Sequence, residues 1–211
     1  GLIARRPEGR SYGWDHERIC AFPVPNDVVG LVLGKIGKLQ PASRDMLVVA
    51  AFAGHRFQLA TLSIVSERSE AEVRQDLAAP VREGLLLAGE DGYRFQHDRI
   101  QQAAYALIGS HDRVALHLRY GRLLLAHTAV ADLPSRLFEI VAHLHQGAPQ
   151  MSSAAELQNL AKLCLEAGQR ARAAAAFASA ADLFANGIEA LGGDSFATQP
   201  ELAFALHYGL A

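Results

Sequence analysis

The residues best placed for chemistry are His97 and Asp98, in the stretch Tyr93 to Ile108 that reads YRFQHDRIQQAAYALI. A short aromatic strand, Tyr93-Arg94-Phe95, runs directly into this pair at the mouth of an amphipathic helix, which sets a titratable donor where a phosphate could sit. Asp98 is an N-cap candidate, and Ile100, Ala103, Ala104, Leu107 and Ile108 fall at helical spacing. His97 would then stand at the helix entrance and point away from the packed face. The bland alternative is that His97 only caps or packs at this corner.

The other chemistry-bearing residues make no comparable set. His143 and His145 are two apart on a helix, so their side chains diverge by about 200° and cannot share a metal; they are expected on a helix surface and in a groove. His111, His117 and His127 are too scattered to form a ligand set. Arg113, Arg119 and Arg122 give one helix a basic side, which could meet phosphate or an acidic partner, or simply be solvated. Cys20 and Cys164 are far apart and have apolar neighbours, the pattern of reduced, buried thiols rather than a disulfide framework. No Ser/His/Asp or Cys/His arrangement has a sequence signature, so no catalytic residue and no metal site are expected.

The elements that must position His97 follow from composition and periodicity. With 211 residues, half of them hydrophobic, the chain can bury a core of one large or two modest domains. Lys and Arg number 20 against 22 Asp and Glu, and the net charge of −2 supplies no long-range field for nucleic acid or an anionic membrane. No apolar run approaches the roughly 20 residues that span a bilayer, and nothing resembles a signal peptide, so the expected location is cytoplasmic. The chain opens on Gly1-Leu2-Ile3 and stops inside a helical pattern, the look of a piece cut from a longer protein.

Residues 1–24 read as an entry hairpin around the polar stretch Arg5 to Arg10. Asn26 or Asp27 can cap a first helix carrying Val28, Val29, Leu31, Val32, Ile36 and Leu39, ended by Pro41. A second helix follows Ser43 and closes at Gly54, a third runs through Phe57, Leu59, Leu62 and Ile64, and a fourth starts at Ser69 and stops at Gly84. Leu85-Leu86-Leu87, the turn Gly89-Glu90-Asp91-Gly92 and Tyr93-Arg94-Phe95 then read as a β-hairpin. Helices followed by a hairpin give the order of a winged helix-turn-helix over 25–110. Connecting helices fill 111–150, from about His111 to Thr128 and Pro134 to Gln146. Over 151–211, helices from Ala154 to Ala167, Arg170 to Leu191 and from Pro200 must stack on one another. There Leu157, Leu160, Ala161, Cys164, Ala173, Phe177 and Ala180 are spaced as in tetratricopeptide (TPR) helical hairpins, although Ala185 stands where that repeat has proline and Gly192-Gly193 makes the break. The alanine run from Ala171 to Ala181 reads as close-packed core, with Phe177 and Phe184 filling it. The expected fold is mainly α: a winged helix-turn-helix with a small β-hairpin, followed by antiparallel, TPR-like helical hairpins.

Val28 to Ile36, AAFAGHRF at Ala50 to Phe57, FQHDRIQQAAY at Phe95 to Tyr105 and the segment Leu137 to Gly147 together resemble the region after the nucleotide-binding core of STAND-type AAA-like ATPases. Such regions occur in bacterial multidomain serine/threonine kinase and sensor histidine kinase signalling proteins. The resemblance implies that 1–24 close the ATPase lid, with Trp14 packing at the joint, and that the P-loop core lies upstream, since the chain has no GxxxxGK[ST] of its own. It also implies that His97 reaches the β-phosphate of ADP held by that core while Asp98 caps the helix. On this reading the segment is regulatory and non-catalytic and holds no cofactor alone. ADP or ATP belongs to the parent, which the resemblance implies is an ATPase fused to a protein kinase or histidine kinase. The partners are the upstream ATPase domain and a protein docked on the helical tail, with no nucleic acid and no membrane.

The competing expectation is a DNA-binding winged-helix transcriptional regulator with a helical effector domain. From Ser66 to Gly84, however, Glu67, Glu70, Glu72, Asp76 and Glu83 outnumber Arg68, Arg74 and Arg82, the wrong balance for a groove-facing helix. A third reading is a scaffold whose winged helix has lost nucleotide contact.

Overall fold

The computed structural model describes residues 3–5, 12–14, 28–90 and 92–210. Near the start, β1 (Ile3–Arg5) pairs antiparallel with β2 (Tyr12–Trp14), placing Ile3 opposite Trp14. Cys20, the cap expected from Asn26 or Asp27 and the side chain of Trp14 lie outside what is described.

The first helical unit comprises α1 (Val28–Gly37), α2 (Pro41–Ala53), the two-residue strand β3 (Arg56–Phe57), α3 (Leu59–Ser66), α4 (Glu70–Arg82), and the hairpin β4 (Leu86–Gly89) and β5 (Gly92–Phe95). Pro41 does not end the first helix but occupies the first turn of the second, where its missing N–H costs nothing because that donor has no intrahelical partner. Ser43 is accordingly inside α2 and buried. Phe57, expected in a helix, is instead in a strand: it pairs with Tyr93, and its buried ring lies 6.0 Å from that of Tyr93. The sheet is antiparallel in the order β3-β5-β4.

Helix α4 starts as its sequence dictates. The Ser69 hydroxyl accepts from the backbone N–H of Glu72, and the Glu72 carboxylate accepts from the backbone N–H of Ser69, a reciprocal capping box. The opposite end turns through Gly84 at φ +71°. Between these stops Val73 and Leu77 point inward to meet Leu47, Leu62, Leu85, Leu86 and Phe95, all essentially without solvent exposure. Each such aliphatic side chain contributes about 1.5–3 kcal/mol on burial.

The chain continues through α5 (Asp98–Ala106), α6 (Ser110–His127) and α7 (Leu133–Gly147), then a single 3-10 turn (Ala148–Gln150). Glycines let α6 and α7 approach closely: a Cβ on Gly147 would fall 2.5 Å from Leu118 Cα, and one on Gly121 would fall 2.8 Å from Leu144 Cγ. One cluster of buried apolar residues runs from Val32 in α1 through this hairpin to Ala167.

Three further helices complete the described chain after α8 (Ala154–Ala173): α9 (Phe177–Leu191), the short α10 (Ser195–Thr198) and α11 (Pro200–Leu210). The break between α8 and α9 falls at 174–176, where Ala175 takes φ +60°, and not near Gly168 as the spacing suggested. Gly168 is an interior helix residue with a packing function: a Cβ there would lie 2.5 Å from Phe184 Cε1. Phe184 fills the α8–α9–α11 joint at 1% exposure, but Phe177, expected beside it, stands at the start of α9 and is 67% exposed. The mainly α expectation holds, and among the described residues no helix is long and apolar enough to cross a membrane.

Candidate functional site

His97 sits where the strand hands over to α5, with extended backbone (φ −147°, ψ 148°) as the N-cap residue of that helix. Phe95, two residues earlier, is fully buried and anchors the strand, while His97 is exposed. The capping role expected of Asp98 is corrected. Asp98 is the first helical residue, and the cap position makes no side-chain hydrogen bond to the helix. The reason is visible in the partner of its carboxylate: Asp98 Oδ1 lies 3.0 Å from His55 Nδ1, an ion-pair distance, though the ring N–H is not aligned as a hydrogen bond.

A second tie holds the same helix. The Gln101 side chain donates to the carbonyl of Ala51 at 3.1 Å, so the first turns of α5 are fastened to the end of α2 and to the residue after Gly54. The setting is basic. Arg56 and Arg94 face one another across β3 and β5, and both are exposed, as is Arg99 in the first turn of α5. Like charges directly opposite on a sheet repel unless an anion sits between or above them. Neither Arg56 nor Arg94 forms an ion pair among the described residues. An uncapped helix N-terminus and an exposed imidazole are groups that can receive a phosphate-like oxyanion.

A second constellation was not legible in the sequence. His117 of α6 and His143 of α7, expected as scattered or surface residues, are 5% and 7% exposed, and their Nδ1 atoms are 2.9 Å apart. The Tyr105 hydroxyl of α5 lies 2.8 Å from His117 Nε2, extending the chain of polar atoms across three helices. Phe52 packs against both the Tyr105 and His117 rings, and Tyr120 stacks on His143 with centroids 4.1 Å apart. Burial, with His117 beside it, pushes the His143 imidazole down to about 3; burial, with Arg113 beyond it, also lowers His117. Both rings are therefore neutral near pH 7, and a neutral pair satisfies the short contact as donor and acceptor. Helix spacing separates His143 from His145 as expected, and among the described residues no group of three His, Cys, Asp or Glu side chains is arranged to hold a metal ion.

The basic side expected on α6 is mostly neutralised. Arg119 pairs with Glu67, and Arg122 donates to both carboxylate oxygens of Glu156 at 2.7 Å, holding that carboxyl below its ordinary value. Arg113 instead donates to the Ile108 carbonyl and lies over the Tyr105 ring.

Comparison with known proteins gives a limited likeness. No family model matches the chain, and no solved structure matches it. It is 23% identical over 235 aligned residues to hybrid signal transduction histidine kinase G of Dictyostelium discoideum, an alignment that covers 86% of this chain. The chain spans only 7% of the length of that kinase.

Proposed function

We propose that this chain is a regulatory, non-catalytic segment of a STAND-type, AAA-like signalling ATPase, in which a winged helix senses whether ADP or ATP is bound and the helical tail serves as a protein-binding scaffold. The observation that carries the reading is His97: an exposed imidazole at an uncapped helix entrance, fixed from behind by buried Phe95 and from the side by the His55–Asp98 contact. Supporting the winged-helix part are the order α2, β3, α3, α4, β4, β5 and the sheet order β3-β5-β4, the order expected of a helical triad with the hairpin as its wing. Supporting the TPR-like part is the small-residue packing of Gly168, Ala171, Ala180 and Gly187 where α8, α9 and α11 meet. The similarity to a piece of a hybrid signal transduction histidine kinase agrees with a place in a large signalling protein.

The DNA-binding alternative loses support from the same structure. Arg68 is committed to Asp76 and Glu72, while Glu70 and Glu83 stay exposed along α4. Exposed Glu70, Glu72 and Glu83 outnumber exposed Arg74 and Arg82 there, an unfavourable balance for a helix against a phosphate backbone.

The deciding experiment is His97→Ala in the intact parent protein, with release of labelled ADP as readout. Loss of a charge-assisted hydrogen bond costs about 1.5–3 kcal/mol, so release should accelerate by about 10- to 150-fold and basal signalling should rise. His97 is exposed, so the variant keeps its fold. Unchanged ADP release would remove the nucleotide-sensing role.

A further inference from the structure

Beside the buried histidine pair lies an open cleft of about 580 Å³, where α2, α5, α6 and α7 converge. Its lining includes Phe52, Tyr105, His117, Glu139, His143 and Gln146, and contains no lysine or arginine. We propose that this cleft is a binding site for a guanidinium-type cation, held by Glu139 and read by His143. The proposal does not depend on the nucleotide-sensing role of His97.

Three observations converge. Glu139 is half-buried on the cleft wall, has no hydrogen-bond or ion-pair partner among the described residues, and burial raises its carboxyl above the ordinary value. Its charged neighbour Arg136, one turn earlier, turns its guanidinium to Thr61 Oγ1 at 3.3 Å. Second, His143 is more than nine-tenths buried and lines the same cleft; its Nδ1 is engaged by His117, while Nε2 has no protein partner among the described residues. A carboxylate and an imidazole one helical turn apart share a face of α7, so both can address one ligand. Third, Phe52 and Tyr105, the latter already carrying the Arg113 guanidinium over its ring, supply aromatic surface of the kind that suits a planar delocalised cation.

The histidine pair gives this site a readable signature. The chain Tyr105–His117–His143 has two self-consistent proton arrangements. In one, the Tyr105 O–H donates to His117 Nε2, His117 Nδ1–H donates to His143 Nδ1, and His143 Nε2–H faces outward. In the other, His143 Nδ1–H donates to His117 Nδ1, His117 Nε2–H donates to the Tyr105 oxygen, and His143 Nε2 presents a lone pair. Every group stays neutral in both. A cation on Glu139 offers N–H donors and so selects the second arrangement, whereas the empty cleft leaves the first available. The Tyr105 hydroxyl, on the helix that begins at His97, thus changes role from donor to acceptor toward His117 Nε2 with occupancy.

The test titrates the protein, 15N-labelled at histidine, with agmatine, with a blocked Gly-Arg-Gly peptide and with Zn²⁺ alone, by calorimetry and by the ring-nitrogen NMR spectrum. Expected is saturable binding of a guanidinium probe, weakened at least about ten-fold by Glu139→Gln, together with a shift of His143 toward the Nδ1–H tautomer that Tyr105→Phe alters. Agmatine binding as well as the peptide identifies a free small cation; binding by the peptide alone identifies an arginine on a protein partner. Binding of neither, binding indifferent to Glu139→Gln, or response to zinc alone overturns the proposal.

Discussion

Asp98 Oδ1 stands 3.0 Å from His55 Nδ1, so one carboxylate oxygen of the His97-Asp98 pair meets a side chain of the protein, while His97 beside it is exposed. The contact joins residues 43 positions apart in sequence, the loop after α2 and the first turn of α5. Asp98 is highly exposed, and exposed pairs contribute about 0–1 kcal/mol.

Asp98→Asn should therefore act as a mild version of His97→Ala. ADP release from the intact parent should quicken by no more than about five-fold, because at most about 1 kcal/mol of orientation is lost. An effect as large as that of His97→Ala would show that Asp98 itself meets the nucleotide site and would displace the positioning role.

The buried histidines give the fold a definite pH dependence. His143 is pushed from 6.5 down to about 3 in the folded chain, so between these values the unfolded chain binds a proton that the folded chain refuses. Stability is then complete above the unfolded value and falls as pH drops, by up to about 1.4 kcal/mol per pH unit, with His117 adding in the same direction. Urea midpoints measured from about pH 7 down to about pH 4.5 should fall steeply for the native chain and less steeply for His143→Gln. Equal slopes would mean that His143 is not the group responsible.

Much of the helical layout was legible because local signals set it: the Ser69/Glu72 capping box, the positive-φ glycines Gly54, Gly84 and Gly192, and the Gly89-to-Gly92 turn all stop or start elements where the residues dictate. What failed was decided by partners distant in sequence. Phe57 became a strand residue because Tyr93 lies opposite; the exception is Pro41, which for a local reason opens a helix rather than ending one, α1 having already stopped at Gly37. His97 could be singled out from its strand-to-helix setting. His55 could not, since nothing in AAFAGHRF points to Asp98. The Tyr105–His117–His143 chain was equally hidden, because His117 and His143 come from different helices and meet only once Gly121 and Gly147 let α6 and α7 close together.

Those glycines make a direct test of the close packing. Gly147→Ala would place its Cβ 2.5 Å from Leu118 Cα, a backbone atom that cannot rotate away, whereas Gly34→Ala meets nothing within 4 Å. The first should destabilise by about 1–3 kcal/mol or more, while the second should be neutral or stabilising by up to about 1 kcal/mol through better helix propensity. Urea unfolding of both variants checks the contrast, and similar midpoints would contradict the α6–α7 approach.

The polar chain can be separated from ordinary packing by a double-mutant cycle. Tyr105→Phe removes one hydroxyl and leaves His117 Nε2 without its partner, at a cost of about 1–3 kcal/mol if the atom stays dry. His117→Phe removes the same hydrogen bond from the other side and also strips His143 of its Nδ1 partner. If the two residues act through their shared bond, the double variant should lose less than the sum of the single losses, with a coupling of about 0.5–3 kcal/mol. Phe52 touches both rings in every variant, so apolar contact alone should contribute little to the difference. Additive losses within about 0.5 kcal/mol would show that the 2.8 Å contact between Tyr105 and His117 carries no energy of its own.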